Sequence, residues 1–375
     1  MAGYIAFFFM GTAGCIFLNV LYSKKNKTEL PGIQLIFLGA ILILMSSLRN
    51  ESVGVDTSLY RNIFLVLGRT HLFDDVPANF ARFPGYRLLC RVVYILTGGS
   101  YRVMITVISV IIVYGFLKFF YKKSDNYLMS AVYFATLYFF LNSFNSHRQH
   151  TAMAIMLLAF LAYDEKKFLK GTFLAALAVS FHNVSIIMCI YLILSKVKWT
   201  KPVFILYSAL VAAGRYVGDL VISVFISIFP RYSFYSTYTW HYSQTRKFST
   251  SMIYLLLVIF AMIFFSESMF KAVGNSLVRS SDRTLAEPLW TFMSITMIDI
   301  MLRFVYPIDS GSVYPRIQSF FSFFVVLFIP GVIERVDSKW RPWLYLASNA
   351  IFIYATVVRI RANYGGVYPY RFFWQ

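Results

Sequence analysis

Apolar residues recur along the chain in long runs separated by short polar stretches, at about 3–22, 32–48, 103–121, 127–141, 151–163, 169–181, 185–195, 202–229, 250–270, 288–306, 314–333 and 342–358. A helix needs about 20 such residues to cross a hydrocarbon core of about 30 Å, and most of the runs approach that length. The four runs between 127 and 195 are shorter. They predict helices that are tilted or extended by their polar flanks. The pattern predicts an all-α polytopic membrane protein of about twelve transmembrane helices, with roughly ten to twelve full spans. The whole of 1–375 is read as a single integral membrane domain. Its longest polar insertion, 49–84, and the amphipathic stretch 85–97 predict an outer-face segment over 49–100 with interfacial or re-entrant helices.

Composition removes the alternatives. Of 375 residues, 59% are hydrophobic and 14% charged, whereas soluble domains carry about 25% charged residues. Three cysteines, Cys15, Cys90 and Cys189, lie in apolar stretches and make no disulfide framework. A net charge of +19 on a soluble chain would point to nucleic acid. Here the placement of lysine and a polyanionic partner at the membrane account for it first, and no nucleic-acid partner is expected.

Lys24, Lys25 and Lys27 follow the first apolar run, whereas a signal peptide carries its charges before its core. The run therefore reads as an uncleaved span with an outside N-terminus. Twelve crossings then put 23–31, 122–126, 164–168, 196–201, 271–287 and 334–341 inside, and nearly every lysine lies there or within a turn of that face, Lys247 excepted. Arginine behaves differently. Fifteen of the 20 arginines, and all five histidines, fall at the outer side. Guanidinium offers a planar fork to carboxylate or phosphate, which ammonium does not. Lysine sets the orientation, and arginine is gathered on the outer face for an anion.

Candidate chemistry falls on the outer segments 49–100, 142–150, 181–186, 230–249 and 303–316. In the first, Gly54 permits a turn before Asp56, and Asp56 and Tyr60 share a helix face with Arg49 nearby. Asp56 reads as a helix cap or a base, and Arg49 as a headgroup anchor or an anion ligand. Arg82 lies in the same outer segment. In the second, Arg148 opens a span as a headgroup anchor or a substrate contact, next to Gln149, which both donates and accepts. His147 and His150 are spaced i,i+3 and suit a metal, but no carboxylate lies nearby to complete the set, so no metal and no cofactor are expected. In the third, His182 lies in the tight turn Phe181–Ser185, where it either ties helix ends or takes a proton from a hydroxyl near neutrality. In the last, Arg303 and Arg316 flank an outer turn; Asp299 is placed to pair with Arg303, as Asp219 is with Arg215. The Tyr- and Trp-rich stretch 230–249 fits an interfacial belt and a sugar-stacking surface equally well.

Arg49 followed by G-x-D-T-x-x-Y (Gly54 to Tyr60), the pair Arg148-Gln149, the turn F-H-N-x-S (Phe181 to Ser185), and Arg316 with Phe320, Phe321 and Pro330 occur in order along the chain. Together they resemble the EpsG-type branch of the Wzy polysaccharide polymerases. The resemblance implies a glycosyltransferase of the bacterial inner membrane whose active site faces the periplasm. It would polymerise undecaprenyl-diphosphate-linked oligosaccharide repeat units into O-antigen or a related surface polysaccharide. Membrane lipids are further partners, and a polysaccharide chain-length regulator is one that the resemblance allows. The chemistry implied is inverting transfer without a metal. His182, then Asp56, is the candidate base, with Arg148 as the third catalytic residue; Arg49, Tyr60, Arg82, Gln149, Arg303 and Arg316 hold diphosphate and glycan. A flippase or transporter of the same lipid, or an O-antigen ligase, is the alternative. Chelation with EDTA is expected to leave turnover unchanged in a purified preparation. A loss restored by a divalent cation would instead revive His147 and His150 as ligands.

Overall fold

A computed structural model describes residues 31–70, 83–199, 201–228, 230, 280–305 and 314–375. The first and ninth apolar runs, residues 231–249 and Arg82 lie outside the described residues, as do the side chains of Arg215, Asp219 and Arg303. Regular structure among the described residues is helical, apart from one isolated antiparallel bridge between Arg49 and Phe372. Three of the described helical stretches are long and apolar enough to cross a membrane: Tyr101–Lys123, Arg316–Ile333 and Arg341–Arg361. Six further apolar helices among the described residues are shorter, at 10–17 residues. The sequence predicts about twelve crossings; the membrane character is present, and the full-length spans described are these three. Several runs are cut by local backbone. The run at 127–141, for example, breaks at Tyr138, whose φ of 71° no helix accommodates.

The helices are α1 (Pro31–Ser47), α2 (Thr57–Arg69), α3 (Pro84–Thr97), α4 (Tyr101–Lys123), α5 (Tyr127–Thr136), α6 (Phe139–Asn142), α7 (His147–Asp164) and α8 (Phe168–Phe181). A 3-10 segment, Asn183–Cys189, leads to α9 (Ile190–Leu194), α10 (Lys201–Ile228), α11 (Ser280–Val305), α12 (Tyr314–Ser322), α13 (Val325–Ile333) and α14 (Arg341–Arg361). The chain divides into two compact units, Met1–Ile186 with Tyr345–Gln375, and Ile187–Leu344.

The first unit is built around α7. Ala152, Met153, Ala154, Met156, Leu157, Ala159 and Phe160 bury nearly the whole circumference of that helix, as a helix apolar all round requires. On α4, Gly115 lets the two backbones approach closely: a Cβ there would lie 2.7 Å from both the Cβ and the carbonyl oxygen of Ala154. Helix α14 runs beside α5 in the same direction. Asn126 donates to the Tyr345 hydroxyl at 3.1 Å at one end, Tyr133 meets Ser348 at 2.6 Å midway, and Thr356 donates to the Thr136 carbonyl further along. Beyond α14 the chain returns to the end of α1. Asn50 donates to Arg371 at 2.8 Å, Phe373 to Leu48 at 2.9 Å, and Gly54 to Gly366 at 2.8 Å, all through backbone groups.

These contacts give the first unit two chemically distinct ends. Arg49, Arg102, Arg148 and Arg371 lie at the end where α4 and α7 begin: Arg102 donates to Ser47 at 3.3 Å and Tyr101 to Thr57 at 3.0 Å. Lys122, Lys123, Lys166 and Lys167 lie at the other end, where Lys123 pairs with Asp164 at 2.7 Å.

In the second unit, α11 supplies a core of Leu289, Trp290, Phe292, Met293 and Ile295, and α13 is buried throughout. Tyr191 stacks on Phe324 with ring centres 5.8 Å apart. The fully buried Asp299 accepts from Gln318 at 2.9 Å, which ties α11 to α12. Gly115→Ala should destabilise the protein by about 1–3 kcal/mol through overpacking, read as a lowered melting temperature in detergent. An unchanged melting temperature would contradict the close approach of α4 and α7.

Candidate functional site

The segment after α1 is shaped by the residues of its motif. Gly54 has a φ of +97°, and a Cβ there would lie 2.7 Å from Thr57 Oγ1, so only glycine fits the turn. Thr57 closes it by donating to the Val53 carbonyl at 2.8 Å. Asp56 occupies the N-cap of α2 but makes no side-chain capping bond. Its carbonyl accepts the Tyr60 amide at 2.9 Å, and its own amide donates to Asn145 Oδ1 at 3.3 Å. Asn145 also donates to the Gly365 carbonyl at 2.7 Å, so one side chain joins this turn to the C-terminal return of the chain. Asp56 is half-buried, and Tyr60 faces inward toward α7.

Arg49 is buried, 2% exposed. Its Nη1 donates to the Ser46 carbonyl at 2.8 Å and the Ser46 hydroxyl at 2.5 Å, and its Nη2 donates to His147 Nε2 at 2.7 Å. The ring of Phe144 lies 4.2 Å from the guanidinium carbon. Because a guanidinium can only donate, His147 Nε2 is the acceptor and its ring is neutral, with the proton on Nδ1. Tyr60 stacks on that ring at 4.6 Å with the planes 18° apart. His150 is engaged separately, its Nδ1 2.9 Å from the Ser146 hydroxyl. Both i,i+3 histidines are thus taken up in hydrogen bonds, and among the described residues no three His, Cys, Asp or Glu side chains gather as a metal requires.

Arg148, one residue on from His147, turns to a different set of partners. Its guanidinium carbon lies 4.1 Å from the centre of the Phe83 ring, 5.7 Å from Tyr86 and 5.9 Å from Tyr60. Its Nε is buried without a hydrogen-bond partner among the described residues. Cations are held over ring faces by the ring quadrupole, which fixes the guanidinium, and no carboxylate among the described residues takes its N–H fork. His182 ends α8 in extended backbone, with φ −156° and ψ 104°, and its ring stacks on the same Phe83 at 5.9 Å with the planes 4° apart. Arg148 and His182, 34 positions apart in the chain, therefore share one aromatic ring.

The structure brings Arg49, Tyr60, Arg148 and His182 together at one end of the first unit, with Asp56 at the start of the helix that carries Tyr60. Gln149 is buried on α7, about 100° around the helix from Arg148. Arg316 is an exposed residue of α12, and Arg303 belongs to α11; both are in the second unit. Sequence reasoning passed over Phe83 and Tyr86. The signal available was Pro84-Gly85 at the start of α3: a Cβ on Gly85 would fall 2.1 Å from Ser180 Oγ, so glycine is what brings Tyr86 against α8. Tyr86 then meets Phe181 edge-on at 6.4 Å.

These features define a helical membrane protein with an arginine–aromatic site at one end of its first unit. The model of the EpsG family matches residues 32–372, and the chain belongs to that family. No curated protein and no solved structure matches the chain.

Arg49→Ala leaves His147 Nε2 and the Ser46 oxygens without their shared donor, and is expected to cost about 1–3 kcal/mol. Thermal unfolding of purified protein checks this, and a wild-type melting temperature would contradict the hydrogen-bonded role of Arg49.

Proposed function

We propose that the chain is a membrane glycosyltransferase that polymerises undecaprenyl-diphosphate-linked oligosaccharide repeat units into exopolysaccharide or an O-antigen-like surface polymer, on the periplasmic face of a bacterial inner membrane. Membership of the EpsG family supports this reading. The observation that carries it is Arg148, a half-buried guanidinium supported by rings and, among the described residues, paired to no carboxylate.

In the proposed reaction an acceptor sugar hydroxyl attacks the anomeric carbon of the lipid-linked donor. The new C–O bond forms as the bond to the diphosphate breaks, with inversion in a single displacement. The leaving diphosphate keeps the electron pair, and negative charge grows on oxygens that a fixed guanidinium can fork. Arg148 takes that role. The hydroxyl proton passes to His182, which stands on the same Phe83 ring. Asp56 is the second candidate base. Arg49 acts through His147 and Tyr60 as a positioning residue, because its own donors serve Ser46 and His147. Arg82, Gln149, Arg303 and Arg316 are assigned to the remaining phosphate and glycan contacts on the sequence pattern alone.

The test is to incubate purified protein with a lipid-linked repeat unit and resolve the products by size. A polymer ladder is expected, and its absence alongside transbilayer movement of the lipid would favour a flippase. Lipid A core added as a competing acceptor should leave the ladder unchanged; capture of the glycan by that core would favour a ligase. Arg148→Ala should lower polymer formation about a hundredfold, and Arg148→Lys nearly as much, because ammonium keeps the charge but loses the fork. Wild-type ladders from both would remove Arg148 from the diphosphate.

A further inference from the structure

Around the rings that hold Arg148 and His182 lie further buried polar atoms, and those of Tyr86, Asn183 and Ser185 have no part in the reaction above. Tyr86 is 1% exposed, and its hydroxyl finds no hydrogen-bond partner among the described residues. One turn along α3, the Cys90 thiol offers it only a weak contact. Ser185 is fully buried, and its hydroxyl is likewise unpartnered, as are Asn183 Oδ1 and Arg148 Nε. Buried polar groups in folded proteins are nearly always satisfied, and one left unsatisfied needs a reason.

These atoms sit on elements that meet. Tyr86 packs edge-on against Phe181 at 6.4 Å and lies under the Arg148 guanidinium at 5.7 Å. Asn183 and Ser185 follow His182 directly, and the Ser185 amide donates back to the His182 carbonyl at 2.9 Å, which curls the turn. The chemistry of the set separates two kinds of ligand. An anion takes donors only, whereas this set offers hydroxyls, which both donate and accept, together with a side-chain amide. A sugar hydroxyl also donates and accepts, so it satisfies Asn183 whichever way the amide is turned.

We propose, resting on the polymerase reading, that Tyr86, Asn183 and Ser185 form the subsite for the hydroxyl groups of the acceptor sugar, adjoining the diphosphate contact of Arg148. The acceptor is then held next to His182, the residue assigned to take its proton. Tyr86 and Asn183 discriminate among acceptors, and Arg148 recognises the lipid diphosphate common to all of them.

Two measurements on the full-length purified protein test this. The first is thermal unfolding. Ser185→Ala removes a hydroxyl that bonds nothing among the described residues, and Tyr86→Phe one held only by the weak Cys90 contact, so both variants should melt no lower than the wild type. The second is binding of two separate probes, undecaprenyl diphosphate and the free oligosaccharide released by mild acid from the host's lipid-linked repeat. Tyr86→Phe and Asn183→Ala should each weaken the oligosaccharide about tenfold, the loss of one good hydrogen bond, and change undecaprenyl diphosphate affinity less than about twofold. Lower melting temperatures with unaltered oligosaccharide binding would make these hydroxyls packing elements and overturn the subsite. Equal weakening of both probes would overturn it too. If the wild type forms a ladder and binds the lipid while the variants bind oligosaccharide normally, the subsite alone fails. If the wild type does neither, the polymerase reading fails and the subsite with it.

Discussion

A guanidinium cannot lose its charge inside a protein, so burying one obliges the surroundings to supply acceptors or ring faces. Arg49 imposes that requirement on four elements at once. It draws in the last turn of α1 through Ser46, the first residue of α7 through His147, and the ring of Phe144 from the short segment that leads into α7. Through His147 it reaches Tyr60 of α2, and through the contact between the Ser46 and Ser109 hydroxyls it reaches α4. The backbone carrying Arg49 is bridged to Phe372, so the C-terminal segment is held by the same residue. A neutral imidazole, serine oxygens and a ring face all meet this buried cation.

Arg148 is the complement of Arg49. The two are brought close by adjacent residues of α7, since His147 serves one and the next position bears the other. Arg49 is held mainly by hydrogen bonds, and Arg148 by rings. Hydrogen bonds occupy the donors of a guanidinium, whereas ring faces orient it and leave its donors to a ligand. One arginine is thereby committed to the fold and the other available for chemistry, a division that residue type alone does not reveal.

That difference marks how far the sequence could be read. The turn at Gly54 and the helix start at Asp56 were legible because a glycine that permits a positive φ and a residue at the N-cap are local features; the lock by Thr57 was seen only in the structure. The opposed lysine and arginine ends were legible because charge placement follows the order of apolar runs, and the first unit shows both ends. The role of Phe83 was not, because it rests on two long-range contacts, one from α7 and one from the end of α8, and Phe83 is one of 39 phenylalanines. Breaks within apolar runs were not legible for a similar reason: apolar content does not register a single residue such as Tyr138 whose backbone interrupts a helix. The distinction between Arg49 and Arg148 was invisible as well, since both stand at the ends of apolar runs beside polar residues.

The account as a whole turns on a diphosphate meeting the ring-supported guanidinium. A cryo-EM structure of the protein bound to an undecaprenyl-diphosphate-linked oligosaccharide tests this most directly. The account predicts phosphate oxygens at about 3 Å from the Arg148 guanidinium, in a forked contact. Density that places the diphosphate elsewhere, with Arg148 still lying on Phe83 and touching no phosphate, would contradict it.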